Sequence, residues 1–280
     1  MKLRHPLILS VFGFLLCALS WAEDNNASLV SLPSEVDYTN GSGWAVGIGL
    51  QIESSAIFHG SGHYELNFNP EGAVQWRNDD YILFWEGFDL NNTELGWRGL
   101  IQSKWLVEAG VRHEIVIPSS RSEKAGIDNL PHRGSHILGF FESKYLIGDR
   151  WETWASGRIL AGSNEYGWQA KASLGHSFAR GVDNEGTELI LFSTFGSKDN
   201  LNNYFGVSEF DSTVSDLQSI DLDGGYRSSG LDVIYRENIR KNTQITAKVG
   251  IEIYSSQIKK SELVRDSSEI NAKFSVVWMF

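Results

Sequence analysis

The sequence predicts an all-β fold, a transmembrane antiparallel up-and-down β-barrel of about 12 strands. Three observations carry this. Residues 271–280 alternate, with Ala272, Phe274, Val276, Trp278 and Phe280 on one face and a mixed, mostly polar set opposite. The same period of two recurs upstream, in segments of the roughly 9–11 residues that a tilted strand needs to cross a bilayer. Glycine and aromatic residues are abundant (28 Gly, 10 Trp, 9 Tyr and 15 Phe, against 5 Pro), and no stretch beyond residue 22 approaches the run of about 20 apolar residues that a membrane helix requires.

The chain opens with a leader. Residues 1–5 are basic, residues 6–19 are apolar, and Ser20-Trp21-Ala22 is a small-x-small cleavage site. Residues 1–22 are therefore expected to be a secretory signal, removed after Ala22. The single cysteine, Cys17, lies inside it, and Leu16 stands where a lipoprotein box has a small residue. The mature chain is then exported without cysteine, which excludes a small disulfide-stapled domain. Loss of Lys2 and Arg4 takes the formal charge from −11 to −13, and an acidic chain of this kind is not a nucleic-acid binder. Residues 23–42 are polar and aperiodic, a flexible periplasmic lead-in. Residues 43–280 form the barrel.

Within 43–53, Trp44, Val46, Ile48, Leu50 and Ile52 share one face, and Ala45, Gly47, Gly49, Gln51 and Glu53 the other. This is apolar-out and small-or-polar-in, the reverse of a packed soluble core. In 165–178 the outward set is Tyr166, Trp168, Ala170, Ala172 and Leu174; in 242–254 it is Thr243, Ile245, Ala247, Val249, Ile251 and Ile253. These segments show no helical moment. The pattern places strands near 43–54, 64–77, 80–87, 93–99, 103–113, 135–146, 150–160, 165–178, 187–196, 227–236, 242–254 and 271–280, and a count of ten or fourteen is also compatible with it. If both termini are periplasmic, the connections on that side are short, and the long ones (114–134, 197–226 and 255–270) are all external. Pro70 inside 64–77 is expected at a bulge or a turn. A secreted β-sandwich also alternates, but it does not combine long strands, glycine and charge on one face, and a terminal aromatic.

An apolar chain end is unusual in a soluble protein, because termini fray. In a closed barrel the last strand pairs with the first, which ties the terminus down. Phe274, Val276, Trp278 and Phe280 then look like the assembly signal read by the barrel-insertion machinery of outer membranes. The inward faces carry both signs of charge: Glu53, Arg98, Glu108, Arg112, Arg158, Lys171, Glu188, Arg236, Lys248, Glu252 and Lys273. Such a set either interlocks as salt bridges that plug the lumen or lines a narrow polar channel; the plug is the plainer reading.

No constellation points to catalysis, a cofactor or a metal. His59/His63 and His132/His136 have i,i+4 spacing, which serves a metal only where a helix brings both rings to one face. His176 and Ser177 are neighbours on a strand and point to opposite sides, so they cannot form a dyad. Asn78-Asp79-Asp80 reads as turn chemistry.

The C-terminal third carries an arrangement that resembles the MipA/OmpV family of outer-membrane proteins. Its parts are Asn203-Tyr204-Phe205-Gly206-Val207-Ser208, then Gly224-Gly225-Tyr226 to Leu231-Asp232-Val233-Ile234-Tyr235, then Tyr254, Asp266-Ser267 and the terminal strand. Phe58-His59-Gly60-Ser61-Gly62 resembles the family's opening segment. The chain departs from the family in having Phe195 as the nearest aromatic before the Tyr-Phe-Gly-Val block, and in lacking Pro-Ile after Asp-Ser. The resemblance implies residence in the Gram-negative outer membrane among its lipid. It also implies a non-catalytic role, as a scaffold between a murein transglycosylase and a murein synthase, as a narrow porin or as a surface adhesin. Tyr204, Phe205, Gly206 and Val207 fall in the long loop 197–226, where the aromatic pair is either an anchor that folds the loop into the lumen or a girdle pair at a strand end.

Overall fold

The computed structural model describes residues 43–77, 81–87, 93–101, 104–117, 133–147, 152–163, 165–178, 185–240 and 242–280. The expected signal, the lead-in, the Asn78-Asp79-Asp80 turn and His132 lie outside the described residues. The strands are β1 (Gly43–Ala56), β2 (Tyr64–Arg77), β3 (Tyr81–Glu86), β4 (Glu94–Ile101), β5 (Trp105–Ile117), β6 (Arg133–Leu146), β7 (Thr153–Ala161), β8 (Trp168–Ser177), β9 (Gly186–Gly196), β10 (Gly225–Arg240), β11 (Thr243–Tyr254) and β12 (Ser268–Met279). Each pairs antiparallel with its neighbours in sequence, and β12 returns to β1, giving a closed barrel.

Closure removes the sheet edges that lipid could not satisfy. At the seam, Gly47 to Ser54 pair with Met279 to Ala272. Beyond the last strand residue, the Phe280 N–H donates to the Val46 carbonyl (2.8 Å), and the Val46 N–H donates back to the Phe280 carbonyl (3.2 Å). The terminus is thus held by the first strand.

The side chains alternate between two media. On β6, Ile137 is 74 % exposed while Leu138 is fully buried, so odd residues there face outward and even ones the lumen. Trp44, Leu50, Phe68, Leu174, Leu191 and Phe274 belong to an apolar outer belt. The connections differ in length between the two ends. At the terminal rim, where the chain enters and leaves, they are short. At the distal rim lie the connections β1–β2, β9–β10 and β11–β12, and these fold inward.

Three features differ from the sequence reading. The segment near 165–178 becomes a strand only at Trp168; Tyr166 lies in the preceding turn and is fully buried instead of facing outward. The connection from β9 to β10 contains two helices, α1 (Lys198–Phe205) and α2 (Glu209–Val214). Pro70 occupies neither a bulge nor a turn, because β2 pairs with β1 in unbroken register from Ala56↔Tyr64 to Gly43↔Arg77. Among the described residues β3 pairs with β2 only from Ala73 to Arg77, so no ladder bond to β3 is asked of Pro70.

Gly175 on β8 shows how tightly the lumen is filled. A Cβ there would lie 2.2 Å from Trp154 Cε2, and the Trp154 indole N–H donates to Glu188 Oε1 at 2.9 Å while its ring carries the Lys144 ammonium 3.8 Å away. Gly175→Ala should displace the indole and cost about 1–3 kcal/mol. Urea unfolding of the refolded barrel, followed by tryptophan fluorescence and heat-modifiable gel mobility, would show the lowered midpoint.

Candidate functional site

The distal half of the lumen is filled by the chain's own loops. Helix α1 starts where Ser197 Oγ accepts from the Asn200 N–H, and it ends where the Gly206 N–H donates to the Asn202 carbonyl. Helix α2 opens with a capping box between Ser208 and Asp211. Leu201 and Phe205, four apart, share the inward face of α1. Leu201, Tyr204, Phe205 and Val207 are all buried. They join Ile57 and Phe58 from the β1–β2 loop, Tyr166, Tyr254 and Ile258 in one apolar cluster that reaches Phe84 and Phe140 on the barrel wall. The Tyr-Phe pair is therefore a loop anchor inside the lumen, not a girdle pair facing lipid.

The loop is also tied to itself and its neighbours. Val207 and Ile220 exchange backbone bonds of 3.0 and 2.9 Å. The Asn202 side chain donates to the Leu222 carbonyl (2.8 Å) and accepts from the Leu222 N–H (2.7 Å). Ser261 Oγ donates to the Phe205 carbonyl at 2.5 Å, and the Arg265 N–H donates to the Gly60 carbonyl at 2.8 Å.

Polar groups fix this plug to the wall. The Tyr204 hydroxyl donates to Glu114 Oε1 on β5. The Tyr166 hydroxyl lies 3.2 Å from that of Tyr204 and 3.5 Å from Glu114 Oε2. The buried Arg227 guanidinium stacks over Tyr204 and Phe205, 5.1 and 5.0 Å from the ring centres, and pairs with Glu252 at 3.7 Å. The Tyr254 hydroxyl donates to Glu269 Oε2 at 2.6 Å, and His59 Nδ1 lies 3.3 Å from the same oxygen. Burial first, and then the Glu114 carboxylate, push the Tyr166 phenol up to about 12. The same two causes, in the same order, raise the Tyr204 phenol well above 10.

The charges named from sequence are mostly paired and shielded from solvent. Arg98 Nε meets Glu108 Oε1 at 2.5 Å. Glu94 accepts from both Arg112 (2.9 Å) and Arg158 (2.7 Å), and Arg158 also reaches Glu142 at 3.3 Å. Lys248 pairs with Asp232 at 3.0 Å, Lys273 with Glu71 at 2.9 Å and Arg236 with Glu188 at 3.2 Å. Glu252 accepts from the Ser228 hydroxyl, Glu53 accepts from Gln51 Nε2 at 2.9 Å, and the Lys171 ammonium sits 3.9 Å over the Phe192 ring. Removing Glu108 from the most shielded of these pairs, Arg98–Glu108, costs about 3–5 kcal/mol, because the Arg98 charge is left uncompensated.

The aromatic residues of the terminal strand face outward: Phe274, Trp278 and Phe280 are exposed, and Val276 is half-buried. His63 Nδ1 contacts the Ser61 carbonyl at 3.0 Å. His136 Nε2 lies 3.3 Å from Asn203 Nδ2 of α1. Thr153 Oγ1 lies 2.8 Å from His176 Nδ1 at the terminal rim. Among the described residues, no three His, Cys, Asp or Glu side chains are grouped to hold a metal ion. The sequence reading missed Glu114, Arg227 and the inward Phe84 and Phe140. Ser197 and the Ser208-x-x-Asp211 box were visible signals for the helices.

Residues 46–280 match the protein family described as MltA-interacting protein MipA. The chain belongs to this family. No curated protein matches it. Among solved structures, the MipA-family chain is similar to an outer-membrane channel from Pseudomonas putida F1, with a TM-score of 0.50 and 11 % identity over 89 % of this chain and 100 % of that one. It is also similar to the toluene transporter TbuX of Ralstonia pickettii (TM-score 0.42, 10 % identity, 87 % and 91 % covered) and to the NanC porin (TM-score 0.42, 12 % identity, 82 % and 98 % covered). The first of these supports the barrel architecture alone.

Two expected outcomes follow for this MipA-family plug. Tyr204→Phe leaves a half-buried Glu114 oxygen without its donor, which should weaken the plug by about 1–3 kcal/mol. Amide exchange across 198–214 should speed up about 5- to 150-fold while heat-modifiable mobility of the barrel is unchanged. High pH should act in the same direction. The unfolded phenols lose their protons near pH 10, whereas the seated Tyr166 holds its proton to about 12. The plug's contribution is therefore complete below pH 10 and is lost as pH rises toward 12. Protease access to α1 and α2 should increase across that window.

Proposed function

We propose that this protein is a non-catalytic scaffold of the Gram-negative outer membrane, a barrel closed to through-flow that holds murein-processing enzymes at its periplasmic rim. The observation that carries the reading is the plug, in which three distal loops pack Phe58, Tyr204, Phe205 and Ile258 into one buried cluster across the distal mouth. A lumen filled this way serves poorly as a pore and well as a rigid support. The family's description supports the partner class, since it names an interaction with MltA.

In this reading the terminal rim is periplasmic. Docking uses the lead-in 23–42, the turn around 179–186 and the β10–β11 hairpin at 237–241. Ile239 near the end of β10 is exposed, and the strand end is braced where the Asn238 N–H donates to Glu185 Oε1 at 3.1 Å. The partners are a murein transglycosylase and a murein synthase. The outward Phe274, Val276, Trp278 and Phe280 serve the barrel-insertion machinery and then face outer-membrane lipid.

A second reading, a narrow porin, is favoured by Lys248 and Lys273, whose side chains remain about a third exposed inside the lumen. Two measurements separate the readings. The purified barrel, shown folded by heat-modifiable mobility, is expected to give no conductance steps in a planar bilayer; reproducible steps that scale with salt would favour the porin. Purified murein transglycosylase is expected to bind the wild-type barrel. A variant lacking 23–42 and carrying Ile239→Asp should lose at least tenfold in affinity, and unchanged binding would contradict the scaffold placement.

A further inference from the structure

The motif Phe58-His59-Gly60-Ser61-Gly62 forms the tip of the β1–β2 connection, and the seam between β1 and β12 continues through it. Val46 and Phe280 exchange two backbone bonds, so every second residue of β1 from Val46 aims its N–H at β12. The ladder stops at Ser54↔Ala272. The next amide of that series on β12, Ile270, donates to the Tyr64 phenol oxygen of β2 at 3.0 Å. Beyond it the loops take over. The Gly60 carbonyl accepts from the Arg265 and Asp266 N–H groups (2.8 and 3.3 Å), and the Gly60 N–H donates to Glu269 Oε2 at 3.3 Å. His59 Nδ1 lies 3.3 Å from the same oxygen. Gly60 is required for this approach, since its φ is +80° and a Cβ would stand 3.0 Å from Val264 Cγ2.

Helix α1 rests on this junction. The His59 ring meets Tyr204 edge-on, with centres 5.7 Å apart, and stands 6.4 Å from Phe205. Tyr254, whose hydroxyl donates to Glu269 Oε2, packs its ring 5.6 Å from that of Phe205. Phe58 joins the same buried cluster. His59 and Glu269 are 210 residues apart in the chain, and they meet only when β12 lies beside β1. The rest of the α1 seat, Phe84, Glu114 and Phe140, belongs to β3, β5 and β6 and is built without the seam.

We propose that the motif is a clasp that makes seating of the plug conditional on closure of the ring. Before β12 reaches β1, Glu269 has neither His59 nor Gly60 beside it, and α1 lacks the seam side of its seat. Closure brings these groups together, so the lumen shuts only after the wall is complete. The clasp uses residues of the distal rim alone, and it serves a scaffold or a porin equally.

The test is refolding of the whole chain from urea into detergent micelles, with pulses of hydrogen exchange read amide by amide by NMR. The N–H groups of Ile48, Leu50 and Ile52 report the seam, and those of Leu201, Tyr204 and Phe205 report α1. Seam protection is expected no later than that of α1. His59→Ala is expected to leave the seam on its wild-type course and to lower the final protection of α1 about tenfold. Protection of α1 ahead of the seam would overturn the proposal, as would α1 protection in His59→Ala equal to that of the wild type. Glu269→Gln, which removes the charge and keeps the size of the side chain, gives a second reading should His59→Ala fail to fold.

Discussion

A strand surrounded by lipid has no water to pair with its backbone, and this one constraint organises the molecule. It requires the ring to close, and so it brings the apolar end of the chain onto β1, where Phe280 and Val46 exchange two hydrogen bonds. It also explains why an apolar terminal strand survives without fraying.

Inside the ring the problem is reversed, because closing a sheet of this size leaves a space that must be filled. The barrel fills it in two ways. Toward the distal rim, apolar loop residues meet apolar wall residues, as where Phe205 and Tyr204 join Phe84 and Phe140. Elsewhere, ion pairs such as Arg98–Glu108 and Arg158–Glu94 cross between strands. Glu114 connects the two regions, accepting from the plug through Tyr204 and lying 3.5 Å from Arg112 on the wall side. A plug held by directional bonds to a half-buried carboxylate has one well-defined position, whereas apolar packing alone tolerates many.

Much of the fold was legible in the sequence, because the two faces of a barrel strand differ so strongly. The strand 64–77 and the alternation of 43–53 could be read residue by residue. Legibility failed where the alternation did. Tyr81-Ile82-Leu83-Phe84-Trp85 is apolar on both faces, so nothing marked Ile82 and Phe84 as lumen residues in contact with a plug. Tyr166 fits the outward period of its neighbours by coincidence, since it stands before the strand begins. Pro70 appeared to demand an irregularity because where β3 pairs with β2, from Ala73 to Arg77, cannot be seen in one strand's sequence. The Tyr204-Phe205 anchor was visible as a motif, but its partner Glu114 lies 90 residues away and shares no local pattern with it.

The central claim is that the β9–β10 loop is seated inside the lumen against the wall. The most direct test is a cross-link between Asn203→Cys on α1 and His136→Cys on β6, whose native side chains approach to 3.3 Å. A short bis-maleimide, applied to cells carrying the double variant, should join the two positions nearly completely and at a rate that does not change on purification. If each thiol reacted with a monofunctional reagent yet the pair gave no cross-link, the loop would lie outside the lumen, and the account of a plugged barrel would be wrong.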